Sequence, residues 1–153
     1  MRFVIAGSRT VSDIIFLYDA IRELEIDEKL ITEVISGNAR GADRLGEIYA
    51  EENSLPLTIM PAEWEKFGKS AGYRRNEDMA KICDAVICLW AGESRGTKHM
   101  MDLAVKYNRK LWVYDVSKNA RWKNIQMELA RKKQEKEQAN NKFIPYKSSR
   151  NTK

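Results

Sequence analysis

Apolar positions along this chain follow two rhythms that alternate from the first residues to about residue 115. Short runs rich in β-branched and aromatic residues occur at Arg2–Ala6 (RFVIA), Thr32–Ile35 (TEVI), Leu57–Met60 (LTIM), Ala85–Trp90 (AVICLW) and Leu111–Tyr114 (LWVY). Each is bounded by Gly, Pro or Asp, which predicts five strands. Between them the spacing turns helical: Ile14, Leu17, Tyr18, Ile21 and Leu24 share one face, as do Ala42, Leu45, Ile48 and Tyr49, and Met100, Leu103, Ala104 and Tyr107. A shorter helix is predicted over Tyr73–Cys83. Strict alternation implies βαβ units with right-handed crossovers, hence an α/β, Rossmann-like open parallel five-stranded sheet with helices on both faces. With the expected strand order 3-2-1-4-5, a crevice opens between the carboxyl ends of strands one and four.

After residue 117 the pattern changes, giving an expected division into a domain over 1–117 and a basic C-terminal helix or tail over 118–153. Trp122, Ile125 and Leu129 make one helical face, and from Arg131 onward (RKKQEKEQANNK) the reading is a solvated helix or disorder. Phe143–Tyr146 is a short apolar patch expected to dock on the body or on a neighbouring subunit.

Composition refines this picture. A chain of 153 residues, 43% hydrophobic and 32% charged, suits one domain with a sizeable core. The net charge of +5 is uneven: residues 121–153 hold ten Lys/Arg against three Glu, a local +7 that leaves residues 1–120 at −2. The basic excess thus belongs to the tail and argues against a general nucleic-acid-binding body. No run reaches the roughly 18 to 20 apolar residues of a membrane span, and MRFVIAGSR lacks a secretory core, so a cytoplasmic protein without membrane association is expected. Cys83 and Cys88 have the spacing of neither a zinc knuckle nor a redox pair and read as buried free thiols.

The chemistry lies where the strand runs stop. Gly7-Ser8-Arg9 follows strand one; Ser36-Gly37 leads through Arg40-Gly41-Ala42-Asp43 into the second helix; Gly92 and then Ser94-Arg95-Gly96-Thr97 open the helix after strand four. Glycine lets backbone amides approach an anion, hydroxyls add donors, arginine offers a fork that suits phosphate, and a helix start favours negative charge. Asp43 either caps its helix or accepts from a ribose hydroxyl. The tract from Pro61 to Asn76 reads as a long connection of the kind that forms lids. In it Trp64 either stacks on a base or anchors the loop, while Arg74, Arg75 and Asn76 sit near a helix start, where a phosphate would relieve the cost of positive charge.

Together with Pro61-Ala62-Glu63-Trp64, Gly68-Lys69-Ser70-Ala71-Gly72, Arg75-Asn76 and Ser94-Arg95-Gly96-Thr97-Lys98-His99-Met100, these motifs resemble the YspA/YpsA-related branch of the SLOG superfamily over about residues 1 to 115. The resemblance implies a Rossmann-like fold that binds nucleotides or nucleotide-derived ligands, related to the DNA-processing protein DprA and to LOG phosphoribohydrolases. Those hydrolases use a Gly-Gly-x-Gly-Thr-x-x-Glu motif; here Gly96-Thr97 is followed by Lys98, His99 and Met100, so Met100 occupies the place of the acid. Asp102 is turned about 200° from that position in a helix. His99 and Asp43 are the candidate catalytic groups, His99 as general acid or base or as a surface or ligand-contact residue. The expectation is a binding protein for a phosphorylated nucleotide, assembled as a homo-oligomer, with no cofactor and no metal. The alternatives are a nucleotide N-glycosidase and a single-strand nucleic-acid binder that uses the basic tail.

Overall fold

The structure is a computed structural model and describes residues 1–92 and 94–141. Its elements run β1 (Arg2–Gly7), α1 (Ile15–Glu23), β2 (Glu33–Ser36), α2 (Ala42–Glu52), β3 (Leu57–Ile59), α3 (Trp64–Phe67), α4 (Ala71–Ile82), β4 (Ala85–Trp90), α5 (Arg95–Lys106), β5 (Lys110–Asp115) and α6 (Ala120–Asn141). The five strands form one sheet in the order β3-β2-β1-β4-β5. Every neighbouring pair is parallel, with Val4 of β1 facing Ile35 of β2 on one side and Val86 of β4 on the other. The α/β Rossmann-like sheet and its expected strand order are therefore present.

The central strands explain the order. Phe3–Ile5 and Ala85–Leu89 are almost wholly buried, as strands covered on both faces must be. The edge strand β3 is only three residues long and exposes Leu57 and Ile59. Cys83 and Cys88 are free and buried, and burial pushes the Cys88 thiol up to about 12.

Three local readings are corrected. On α1 the expected Leu17 and Ile21 are buried, joined by Phe16 and Ala20, while Tyr18 is half-buried and Leu24 falls at the C-cap beyond the helix end at Glu23. In α2, Ile48 is 36% exposed and Gly46 lies on the sheet instead: a Cβ there would come 3.1 Å from Ile5 Cβ and 3.3 Å from Val34 Cγ1, so its absence lets the helix sit close. The tract from Pro61 to Asn76 is not a long loop. It contains α3, a single 3-10 turn at Gly68–Ser70 and the start of α4 at Ala71, two residues earlier than predicted.

The chain divides into two compact units, Met1–Val116 and Ser117–Lys153. In the second, Asn119 Oδ1 accepts from the Arg121 N–H at 2.8 Å and so caps the start of α6. Further along, Arg131 pairs with Glu128 and Glu135, three and four residues away, which supports a helix through the charged stretch. No residue of α6 is buried; on the face read from Trp122, Ile125 and Leu129, Trp122 is half-buried and Ile125 and Leu129 are exposed. The Phe143–Tyr146 patch lies outside the described residues. Among the described residues no helix is long and apolar enough to cross a membrane.

Candidate functional site

At the carboxyl ends of β1 and β4 a crevice of about 420 Å³ opens, where the strand order reverses. Its walls bring together Gly7, Ser8, Arg9, Arg40, Asp43, Arg75, Asn76, Ser94, Arg95, Gly96 and Thr97 from the sequence reading. Ala6, Thr10, Ala39, Met79, Ala91 and Met100 complete it. Met79 follows Arg75 by four residues, one helical turn, so it was legible once Arg75 was placed. Ala39 and Ala91 line the crevice by backbone position and carry no chemical signal of their own.

The floor is fixed by close backbone approach. A Cβ on Gly7 would stand 2.2 Å from the Leu89 carbonyl oxygen, so only glycine allows β1 to end this near β4. Ser8 then joins the two strand ends. Its N–H donates to Leu89 O at 3.0 Å, and its Oγ accepts from the Ala91 N–H at 3.0 Å.

One wall is the start of α2. Gly41 has φ +79°, and a Cβ there would lie 2.5 Å from Arg9 Cα and 2.6 Å from Ser8 O, so the second loop locks onto the first. Ser36 and Gly37 stand behind this wall. The Ser36 hydroxyl is fully buried, donates to Glu47 Oε2 at 2.8 Å and accepts from the Asn38 N–H at 3.0 Å. Gly37 presents its carbonyl oxygen to Arg75 Nη1. Asp43 does not cap α2: its Oδ2 accepts from the Ala39 N–H at 3.3 Å, and the helix start has no side-chain cap. Burial raises the Asp43 carboxyl to about 6, with Arg75, the Ala39 amide and Arg9 pulling it down and Glu47 adding to the rise.

The opposite wall is the start of α5. Ser94 Oγ accepts from the Thr97 N–H at 3.3 Å and lies 2.9 Å from Thr97 Oγ1, which closes the first turn as an N-cap should. Gly96 has no heavy atom within 4 Å of where a Cβ would stand, so its backbone faces open space.

Charge in the crevice is lopsided. Four arginines, Arg9, Arg40, Arg75 and Arg95, meet a single carboxylate, Asp43. Among the described residues Arg9, Arg40 and Arg95 form no ion pair, although arginines elsewhere in the chain do. Arg75 is half-buried; burial lowers its pKa, Asp43 raises it and Arg9 lowers it again, the mark of two guanidinium groups converging. Two helices of 11 and 12 residues add their positive ends.

Besides Ser36, Gly37 and Gly41, which support the wall without lining the crevice, four expected site residues lie elsewhere. Trp64 is exposed on α3, with its ring beside Gly72, and does not reach the crevice. Arg74, one residue and so 100° round α4 from Arg75, bonds Ser70 Oγ at 3.1 Å, lies 4.4 Å from the Phe67 ring centroid and lines a separate cavity of about 320 Å³. Gly92 makes a positive-φ turn after β4 without lining the crevice. His99 is also off the crevice, edge-on to the Tyr73 ring at 4.6 Å between centroids. Met100, at the position of the hydrolases' acid, is buried in the crevice wall, whereas Asp102 points away and pairs with Lys98.

Comparison with known proteins fits this geometry. Residues 1–67 match the family described as YAcAr: YspA, cpYpsA-related SLOG family. The chain is also similar to the Gene 61 protein of Mycobacterium phage D29, at 32% identity over 111 residues that cover 69% of this chain and 89% of that relative.

Proposed function

We propose, from the premise that this chain belongs to the YspA, cpYpsA-related SLOG family, that its crevice binds a phosphorylated nucleotide or a nucleotide-derived ligand. The observation that carries the reading is three arginines without ion-pair partners among the described residues, converging with Arg75 and two helix starts on one cleft that holds a single carboxylate. Such an arrangement is costly on its own, because like charges repel and, among the described residues lining the crevice, Asp43 is the one carboxylate that offsets them. A phosphate group would accept from the guanidinium forks and from the backbone N–H of Gly96, the Thr97 N–H being held by Ser94 Oγ. Asp43, ionised above about pH 6, is then the acceptor for a ribose hydroxyl on the other wall. The volume of about 420 Å³ suits a mononucleotide-sized group.

The role is binding rather than hydrolysis. Base release from a nucleotide needs a carboxylate against the departing bond, and the position where the hydrolase relatives carry it is Met100. A hydrolytic reading would have to use Asp43, since His99 stands outside the crevice.

Mass spectrometry of small molecules released by denaturing the purified protein should find a phosphorylated nucleoside, and calorimetry should confirm its binding. Incubation with 5′-AMP should release no adenine above background by chromatography. Adenine release over many turnovers, lost in Asp43→Asn, would replace the binding reading with a glycosidase.

A further inference from the structure

Arg75 reaches the crevice from α4 with its guanidinium held at two points. Its Nη1 donates to the Gly37 carbonyl oxygen, and its Nε donates to Asn76 Oδ1 at 3.0 Å. Asn76 is itself buried, and its Nδ2 lies 3.4 Å from His99 Nδ1 on α5.

Donor chemistry gives this chain of contacts a direction. Arginine can only donate, so the oxygen of the Asn76 amide must face Arg75. The amide nitrogen then faces His99, and an amide nitrogen can only donate. His99 Nδ1 must therefore accept, which requires a neutral imidazole with its proton on Nε2. Turning the amide over would set its NH2 against the Arg75 Nε–H and leave two donors facing each other.

The surroundings of His99 suit this role. Tyr73 meets the ring edge-on and fixes its plane. Burial lowers the His99 pKa and so favours the neutral form, against the opposing pull of Asp102 and then Glu77.

We propose that Asn76 and His99 are positioning residues: neutral His99 locks the Asn76 amide, and the amide locks the Arg75 guanidinium in the orientation that meets a ligand phosphate. Neither residue needs to touch the phosphate to affect its binding. This rests on the nucleotide-binding reading of the crevice, but the hydrogen-bond direction is testable without any ligand.

His99 is the one histidine of the chain, so its ring gives a single set of nitrogen signals in tag-free protein. Nitrogen–proton correlation spectra of the free protein at neutral pH should show the Nε2–H tautomer. An Nδ1–H tautomer, or a mixture of both, would overturn the proposal. With 5′-AMP as the probe, His99→Phe keeps a ring against Tyr73 but removes the acceptor, and should weaken binding about 3- to 10-fold. In an Arg75→Ala background the same change should cost nothing further, because the residue it positions has gone. Additive losses, or full affinity in His99→Phe where Arg75→Ala weakens binding, would overturn the proposal. Should the wild-type protein fail to bind 5′-AMP, the nucleotide reading is at fault, and the tautomer alone decides the proposal.

Discussion

The two walls of the crevice face the same space but are built in opposite ways. At the start of α2, Gly41 is pressed against the Arg9 and Ser8 backbone, Ser36 is fully buried and bonded, and Asp43 is held by the Ala39 amide. At the start of α5, Ser94 closes the turn with its own cap, Arg95 is exposed, and Gly96 has nothing near it. Glycine serves tight packing on the first wall and openness on the second. The difference teaches that a glycine-rich helix start is not one device. Here one fixes the shape of a site, and the other leaves the Gly96 backbone exposed at its edge.

The largest effect should come from adding one carbon to each wall. Gly41→Ala forces a positive φ on alanine and drives a Cβ into Arg9, and should cost at least about 2 kcal/mol in urea denaturation. Gly96→Ala meets no neighbour and lies within α5, so stability should hold or rise by about 0.5 to 1 kcal/mol. Equal losses at the two glycines would break the comparison.

The charge on the packed wall can be tested next. A folded pKa of about 6 against 3.8 for a free carboxyl means that ionised Asp43 opposes folding. The stability of the neutral form is fully present below about pH 4 and is lost as pH rises through 6, by on the order of 3 kcal/mol. Asp43→Asn should therefore raise the melting temperature at pH 7 to 8, and the gain should fade below pH 6 and vanish near pH 4. A destabilised Asp43→Asn protein at pH 8 would mean that the carboxylate is structural rather than retained for a ligand.

On affinity, Arg9→Ala and Arg95→Ala should each weaken nucleotide binding by on the order of 1.5 to 3 kcal/mol in calorimetry, with the fold intact. Arg9 touches the packed wall through its backbone, so its loss should also leave Gly41 contacts unchanged in the melting curve. The smallest effect should follow truncation after Arg131. Every residue lining the crevice lies within Met1–Val116, so nucleotide affinity should not change.

How much of this was legible follows from distances along the chain. The sheet, its order and the loops at Gly7–Arg9, Arg40–Asp43 and Ser94–Thr97 could be read because each signal is local: a run of β-branched residues that ends in glycine. The pair Arg74 and Arg75 could not be resolved, because adjacent helical residues point 100° apart and the phase of α4 is set by packing at Ala71 and Met79. The same limit hid the link from Arg75 through Asn76 to His99, whose parts lie 23 residues apart. Gly46 carried no sign in the sequence that it would sit beneath Ile5 and Val34. Trp64 and Gly92 were read into the site from their places in a connecting tract and at a strand end, and such a place does not fix the direction in which a residue faces.

Cys88 offers a different use of the fold. It faces Ala6 across β1 and β4, directly beneath the crevice floor, and burial makes its thiol a poor nucleophile at any ordinary pH. An alkylating reagent can then reach it only when the centre of the sheet opens. Its labelling rate is a clock for that opening, and a ligand that bridges the two walls should slow it in proportion to occupancy.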